Sequence, residues 1–221
     1  MQCGMFGKLP SKRDFVSYNM SRPFLDHWEN WLQTGVASSR LSLGNGWQNS
    51  FLNAPIWRFW FGEQIFGQQV TGAVMPSVDG VGRYFPLSVC ACTTNGSRLV
   101  APPSQELNVW HDACEQFLLR MLEDKLEGDP SALLAELPFA PFINAVLMPP
   151  VIENPATWIA QAGSLKTAFA SLQARNEDAV HGKRSYWWTM GGANHQANLI
   201  AHVGRTSPDF MTVMLKGAKT S

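Results

Sequence analysis

The run Tyr84–Thr93 constrains the fold more than any other part of this sequence. It is apolar almost throughout and is short enough to be a single β-strand. A strand with one face in water alternates apolar and polar residues, whereas a continuously apolar strand is buried on both faces. The sequence therefore predicts a strand in the interior of a sheet, with helices covering that sheet.

Runs of aromatic and β-branched residues, bounded by glycine and proline, predict the other strands. They are, in chain order, Gln2–Leu9, Ala54–Gly62, Val70–Met75, Ser185–Met190, Asn198–Val203 and Met211–Leu215. We expect Pro76–Gly82 to be a loop between two strands, and we expect a hairpin around Gly191 and Gly192.

Apolar residues at spacings of three and four predict the helices, and the clearest stripe is Leu107–Leu126. Other stripes predict a helix after Ser21, one at Ser131–Leu137 and one at Pro155–Arg175. No linker or change of composition divides the chain, so we expect one domain, residues 1–221, of the α/β class and the α+β type. Its sheet should be mixed, largely antiparallel and covered by helices.

The charge balance argues against nucleic acid as a partner. Seventeen basic and seventeen acidic residues cancel, whereas nucleic-acid binders carry a basic excess that neutralises phosphates. No stretch approaches roughly eighteen uninterrupted apolar residues, so we expect no membrane insertion. The first residues lack the apolar region of a secretory signal, and four free, mostly buried cysteines fit a reducing compartment, so we expect a cytoplasmic protein.

The sequence contains no complete catalytic or metal site. The five histidines form no pair at the spacing of a zinc-binding helix, and Cys90 and Cys92 lack the second pair that a zinc site needs. Gly80-Val81-Gly82-Arg83 precedes a predicted strand rather than a helix, which favours a tight turn over a phosphate loop. No serine lies in a nucleophile motif. We therefore expect no enzyme, no cofactor and no metal, and we expect His111 to face solvent.

Five charged residues lie in apolar or glycine-rich surroundings, where an unpaired charge is costly to bury. They are Lys8, Asp14, Arg58, Asp79 and Arg83. One interpretation is that they form internal ion pairs that fix loops, with the arginines paired to the aspartates. The other is a shallow polar site beside a tryptophan-rich surface that docks a protein. Both interpretations can hold together.

The nine tryptophans supply the apolar part of such a surface. Only 15% of the residues are charged, so either the core is large or a partner covers part of the surface. Aromatic residues dominate interface energetics, which makes any exposed tryptophan a docking candidate. The candidates are Trp28, Trp31, Trp47, Trp57, Trp187 and Trp188.

Four stretches of the chain resemble one protein family, the TagF family of type VI secretion-associated proteins. They follow the family's order and are Gly4–Pro10 with Asp14-Phe15, Ala54–Phe59, Met75–Leu87 and Tyr186–Thr189. One departure is visible in the first of them. Arg13 stands where the family pattern has glycine before the aspartate, and arginine tolerates positive φ less well than glycine.

The resemblance implies a cytoplasmic, post-translational negative regulator of a bacterial type VI secretion system. It implies binding to the forkhead-associated-domain scaffold protein of that system, alongside a kinase and phosphatase pair. Some family members are fused to a phosphatase domain, and the length of this chain leads us to expect the stand-alone form. Two alternatives stay open: a hydrolase with a site near Asp79 and Arg83, served by a histidine, and a structural accessory component of the secretion apparatus.

Overall fold

A seven-stranded sheet forms the centre of this computed structural model, which describes residues 3–94, 97–123, 126, 128–143, 152–154, 157–159 and 176–216. The strands are β1 (Gly4–Gly7), β2 (Val16–Tyr18), β3 (Trp57–Phe61), β4 (Val70–Met75), β5 (Leu87–Cys92), β6 (Arg98–Leu99), β7 (Phe142–Ile143), β8 (Ile152–Asn154), β9 (Thr157–Ile159), β10 (Arg184–Thr189) and β11 (Asn198–Val203). The helices are α1 (Arg22–Leu43), α2 (Trp47–Leu52), α3 (Glu63–Phe66), α4 (Gln105–Arg120), α5 (Pro130–Ala135), α6 (residues 176–181) and α7 (Phe210–Lys216).

The strand order in the sheet is β11-β10-β3-β4-β5-β1-β2, and every neighbouring pair is antiparallel. β5, which contains most of the apolar run that begins at Tyr84, lies inside the sheet between β4 and β1. The prediction of an α/β fold with an interior strand at this position is confirmed. Two further strand pairs, β6–β7 and β8–β9, form separate two-stranded sheets.

Successive strand residues point to opposite faces of the sheet, and here both faces are apolar. Helices therefore cover both faces. In β3, Trp57 and Phe59 enter a buried cluster that α1, α2 and α7 complete, and we call this side the α1 face. Trp60 points the opposite way, into a cluster that α4 and α5 complete, and we call that side the α4 face. The fold therefore has three layers, with the sheet between two layers of helices.

The α1 face has an aromatic core. α1 begins after Ser21, as predicted, and its buried side chains recur at spacings of three and four. The indoles of Trp28 and Trp31 stack with ring centroids 5.3 Å apart, and Trp31 lies 5.2 Å from Trp187 of β10. Trp28 Nε1 donates a hydrogen bond to Ser88 Oγ of β5 over 2.9 Å, which fixes the helix to the sheet.

The prediction of a last strand at Met211–Leu215 is wrong, because this segment lies within α7. Met211, Met214 and Leu215 are buried, and their spacing places them on one face of a helix. A strand would have put Met211 and Val213 on the same face, but Val213 is 39% exposed. A five-residue run with four apolar residues fits the period of a strand and that of a helix, and contact with α1 and α2 favours the helix here.

Two helix predictions also need correction. Within the predicted helix Pro155–Arg175, residues Thr157–Ile159 instead form β9, which pairs with β8, because threonine, tryptophan and isoleucine favour extended backbone. Residues 155–156 and 160–175 of that prediction lie outside the described residues. α4 ends at Arg120 instead of reaching Leu126, because residues 121–122 form a turn.

Candidate functional site

The Asp79 carboxylate organises the loop between β4 and β5. Its Oδ2 atom accepts hydrogen bonds from Lys8 Nζ at 2.8 Å and from Arg83 Nε at 2.6 Å. Its Oδ1 atom accepts from the backbone N–H groups of Val81 at 3.0 Å and Arg83 at 2.9 Å. The side chain of Asp79 has no exposed surface. Four donors therefore saturate one buried carboxylate.

The hydrogen bonds fix the charge state of this group. Burial on its own raises the pKa of Asp79, but the donors from Lys8, Arg83 and Val81 outweigh burial and hold the pKa well below its usual range. The carboxylate is therefore ionised at neutral pH. A carboxylate that stays ionised and has all its acceptor positions filled is unsuited to general acid or base catalysis.

Further hydrogen bonds join this loop to the segment that follows β1. Gly80 N–H donates to Lys12 O over 2.8 Å, and Ser77 Oγ donates to Lys8 O over 2.7 Å. Arg83 Nη2 donates to the carbonyl oxygen of Arg13. A side chain at Gly80 would bring its Cβ within 2.9 Å of the Pro10 carbonyl oxygen, so the close approach of the loops requires glycine.

We call the joined segments, residues 10–15 and 77–85, the two-loop surface. Phe15 is 45% exposed and Val81 is 55% exposed. Phe15 packs edge-on against the buried ring of Phe85, with ring centroids 4.8 Å apart. This contact fixes the orientation of the Phe15 ring at the surface. With Lys8, the surface carries four basic residues against Asp14 and Asp79, an excess of two positive charges. The remaining basic members, Lys12 and Arg13, are exposed, and so is most of the Arg83 side chain.

The structure gives Arg58 partners that the sequence analysis did not name. Its Nη2 atom lies 2.6 Å from Asp112 Oδ1, and its Nε atom lies 2.6 Å from Glu115 Oε1. Both carboxylates belong to α4, so this ion pair ties β3 to the helix on the α4 face. Burial lowers the pKa of Arg58, but the two carboxylates outweigh burial and raise it. Asp14, the other suggested partner, is exposed on the two-loop surface.

His111 is fully buried, so the expectation that it faces solvent is wrong. Its Nδ1 atom lies 2.8 Å from Leu107 O, and its Nε2 atom lies 3.1 Å from Thr71 Oγ1 of β4. Burial, assisted by the charge of Arg58, outweighs the hydrogen bond with Leu107 O and lowers the pKa of His111 to about 3. The imidazole is therefore neutral, and it serves as a polar contact between α4 and the sheet.

His111 gives the protein a pH-dependent stability. Its pKa in the folded state lies below the unfolded value of about 6.5, so the unfolded state binds the proton first as pH falls. The stabilising contribution is present above about pH 6.5 and is lost progressively toward pH 3. We expect the free energy of unfolding to fall by about 2 kcal/mol more between pH 7 and pH 5 in the parent than in His111→Gln.

Urea unfolding at both pH values measures this difference. His202→Gln is the matched control, because His202 is exposed on β11. The control should keep the full pH dependence of the parent. An identical pH dependence in the parent and in His111→Gln would contradict the assignment of the effect to His111.

The tryptophans proposed as docking anchors are mostly in the core. Trp57 is 2% exposed and Trp187 is 1% exposed. Trp57 Nε1 donates to Met214 O of α7 over 3.2 Å, which is a contact inside the protein. Among the tryptophans whose side chains the structure describes, only Trp188 is not buried. It lies on the α4 face with its ring centroid 4.8 Å from that of His111.

The described residues bring no histidine into hydrogen-bond contact with Asp79, which the hydrolase alternative requires. The donors to Asp79 belong to Lys8, Val81 and Arg83, and no described histidine is among them. In the part of the chain that the structure covers, no three histidine, cysteine, aspartate or glutamate side chains are grouped to hold a metal ion. Sequence reasoning missed Phe15 and Val81 as surface residues. Their signal was a large apolar side chain within a glycine-rich or charged loop.

Comparison with known families supports the resemblance noted in the sequence. Residues 4–137 match the family described as TagF N-terminal domain, Type VI secretion system-associated. The chain belongs to the TagF family. It is also similar to the crystal structure of PA0076 from Pseudomonas aeruginosa PAO1, with a TM-score of 0.76 and 28% sequence identity over 99% of this chain and 96% of that chain. A search of curated proteins gave no match.

Two of the four TagF-like segments meet at the two-loop surface. Lys8 comes from the first segment, Asp14 and Phe15 from its continuation, and Asp79 and Arg83 from the longest one. The other two segments, Ala54–Phe59 and Tyr186–Thr189, contribute to β3 and β10. None of the helices described has the length and hydropathy needed to cross a membrane.

Proposed function

We propose that this TagF-family protein is a cytoplasmic, post-translational negative regulator of a type VI secretion system. In this proposal it binds the forkhead-associated-domain scaffold protein of that system through the two-loop surface. It acts as a single domain over residues 1–221, because strands from residue 4 to residue 203 share one sheet. It has no catalytic role of its own. The associated kinase and phosphatase act on other components.

The observation that carries the proposal is the geometry around Asp79. The Lys8–Asp79 ion pair is buried beneath the two-loop surface, and the Arg83–Asp79 ion pair fixes the more exposed Arg83 side chain. The exposed faces of Phe15 and Val81 then stand in a fixed arrangement beside exposed Lys12 and Arg13. A patch of apolar groups with a polar rim has the composition of a protein-docking site. Because this patch is preorganised, it loses little conformational entropy on binding.

The enzyme alternative has weaker support. A hydrolase site near Asp79 requires a base or nucleophile with free hydrogen-bonding capacity, and the Asp79 carboxylate has none left. The structural-accessory alternative predicts a different phenotype. Deletion of the gene should abolish secretion if the protein is a structural component, and should raise secretion if the protein is a repressor.

The binding surface is tested with Phe15→Ala. We expect this change to weaken binding to the scaffold protein by more than about 2 kcal/mol, roughly thirty-fold in Kd, because an aromatic anchor at the centre of a patch carries much of the affinity. Isothermal titration calorimetry with the purified scaffold protein measures the loss. Phe139→Ala is the matched control, because Phe139 is 65% exposed and lies outside the two-loop surface.

Charge reversal gives a second measure of the same surface. Arg13→Glu should weaken the complex, and the effect should shrink at high salt, whereas Lys183→Glu at an exposed position elsewhere should leave it unchanged. Unchanged affinity in both Phe15→Ala and Arg13→Glu would remove the two-loop surface from the proposal. Failure of the parent protein to bind the scaffold at micromolar concentrations would remove the proposed partner.

A further inference from the structure

The two edges of the sheet differ in how they are protected from pairing. The β2 edge is a strand of three residues, and exposed Lys12 and Arg13 lie in the loop just before it. A short strand beside like charges resists pairing with another copy. The β11 edge has six residues, Asn198–Val203, none of them acidic, lysine, arginine or proline. Within the described residues no strand pairs with its outer side. Among the residues that the structure describes, β11 therefore lacks the usual protection of an edge strand.

The outward-pointing backbone groups of β11 can be assigned. Gly204 N–H donates to Lys183 O over 2.7 Å, which makes that pair a hydrogen-bonded one. Hydrogen-bonded and non-hydrogen-bonded pairs alternate along an antiparallel ladder. Toward β10, the hydrogen-bonded positions are thus the even-numbered ones. The N–H and C=O groups of Leu199, Ala201 and Val203 consequently point away from the sheet.

The side chains at these outward positions lie on the α4 face and are apolar. Leu199 pairs with Trp188, and Ala201 pairs with Tyr186, so all four share that face. Leu199 is 66% exposed and Val203 is 63% exposed. A cleft of about 490 Å³ opens beside them. Its walls include Pro102, Pro103, Tyr186, Trp188 and Leu199.

We propose that β11 is a self-association edge, at which two copies of this chain pair antiparallel about a two-fold axis through Ala201. In this register Ala201 meets Ala201 of the second copy, Leu199 meets Val203 of the second copy, and Val203 meets Leu199 of the second copy. All three pairs are hydrogen-bonded positions, and each exchanges two backbone hydrogen bonds. The occupant of the edge is thus an identical strand. Leu199 and Val203 lie two residues on either side of Ala201, so the apolar positions of two antiparallel copies coincide.

Side-chain packing and charge favour a second copy. Val203 of one copy would lie beside Leu199 of the other. The added valine would extend the apolar wall of the cleft and cover part of the cleft opening. No formally charged side chain of β11 faces its equivalent across the axis. The whole chain has a net charge of zero, so two copies do not repel each other at long range. This inference is independent of the proposed binding to the scaffold protein.

The interface involves one strand and a few side chains, which is small for a stable dimer, so the association is expected to be weak. Sedimentation equilibrium between about 1 and 300 μM should show the mass rising from one copy toward two. Ala201→Lys should abolish the rise, because two ammonium groups would meet at the axis and Ala201 is exposed in the monomer. Leu41→Lys is the matched control, since Leu41 is 88% exposed on α1, and it should leave the rise unchanged.

Cysteine cross-linking tests the register. Hydrogen-bonded partners have Cα atoms about 5.5 Å apart, within the range of a disulfide. Ala201→Cys should therefore form a covalent dimer under mild oxidation, at least tenfold faster than Leu41→Cys. Leu199→Cys should not cross-link to itself but should cross-link when mixed with Val203→Cys.

Three results would overturn the inference. The first is a monomeric mass at every concentration with no cross-linking of Ala201→Cys above the rate of Leu41→Cys. The second is a dimer that Ala201→Lys leaves intact, which would place the interface elsewhere. The third is a chain that stays monomeric and loses scaffold binding in Ala201→Lys, which would mean that a strand of the scaffold protein occupies the edge. Scaffold binding that fails in the parent chain does not affect the mass and cross-linking measurements.

Discussion

Asp79→Asn is expected to lower the free energy of unfolding by about 3–5 kcal/mol, because it leaves a buried ammonium group without its carboxylate. The substitution preserves the size of the side chain, removes the charge and replaces one acceptor oxygen with an NH2 donor. The Lys8 side chain is 7% exposed and cannot recover its hydration in place. The Arg83 side chain is 57% exposed, so water can solvate it after the change. Urea unfolding followed by tryptophan fluorescence should show a lower midpoint at an unchanged m-value.

Asp26→Asn is the matched control for this substitution. Asp26 forms an ion pair with Arg22 over 3.8 Å, and both side chains are largely exposed. Exposed pairs contribute about 0–1 kcal/mol, so the control should stay close to the parent. Adding Lys8→Met to Asp79→Asn should restore part of the lost stability, since no buried charge then remains unpaired. Equal losses in Asp79→Asn and Asp26→Asn would refute the central role of the Lys8–Asp79 pair.

Trp187→Ala is the second substitution with a large expected effect, a loss of about 3–5 kcal/mol in the free energy of unfolding. Trp187 is 1% exposed at the centre of the α1 face, so the change leaves a cavity between the sheet and α1. Its ring contacts those of Trp28, Trp31, Phe59, Phe61 and Phe210. Differential scanning calorimetry should show a correspondingly lower Tm.

The neighbouring residue provides the comparison. Trp188 points to the opposite face and is only partly buried, so Trp188→Ala should cost about 1–2 kcal/mol. Trp187→Phe should also be mild, because Trp187 Nε1 has no hydrogen-bond partner among the described residues and phenylalanine removes this buried donor. Equal losses in Trp187→Ala and Trp188→Ala would contradict the placement of the aromatic core.

The sequence was a good guide to single elements with a clear period. β4 lies at Val70–Met75 as predicted, and α1 buries the stripe that contains Trp28 and Trp31. The prediction for Met211–Leu215 failed because a five-residue run with four apolar residues fits a strand and a helix equally well. Strand order was also beyond reach, since the pairing of β10 with β3 depends on contacts between residues far apart in the chain.

The candidate site was predictable in part. Lys8, Asp79 and Arg83 were candidates because charges in apolar surroundings need partners. In the structure Asp79 forms ion pairs with both Lys8 and Arg83. The partners of Arg58 were missed because only Asp14 and Asp79 were considered for it, whereas the structure pairs it with Asp112 and Glu115 of α4. They lie three residues apart on one side of that helix, which is the spacing that lets two carboxylates reach one guanidinium. Which loops meet in space was not encoded in any local pattern.

The position of β3 inside the sheet has a consequence for synthesis on the ribosome. One side of β3 pairs with β4, which follows within a few residues, but the other side waits for β10, roughly 120 residues later in the chain. At about 5–20 residues per second, an aromatic strand keeps one edge unpaired for several seconds or more while translation continues. An unpaired edge of this kind is a site for aggregation. The nascent chain should therefore depend on chaperones until its last hairpin has emerged.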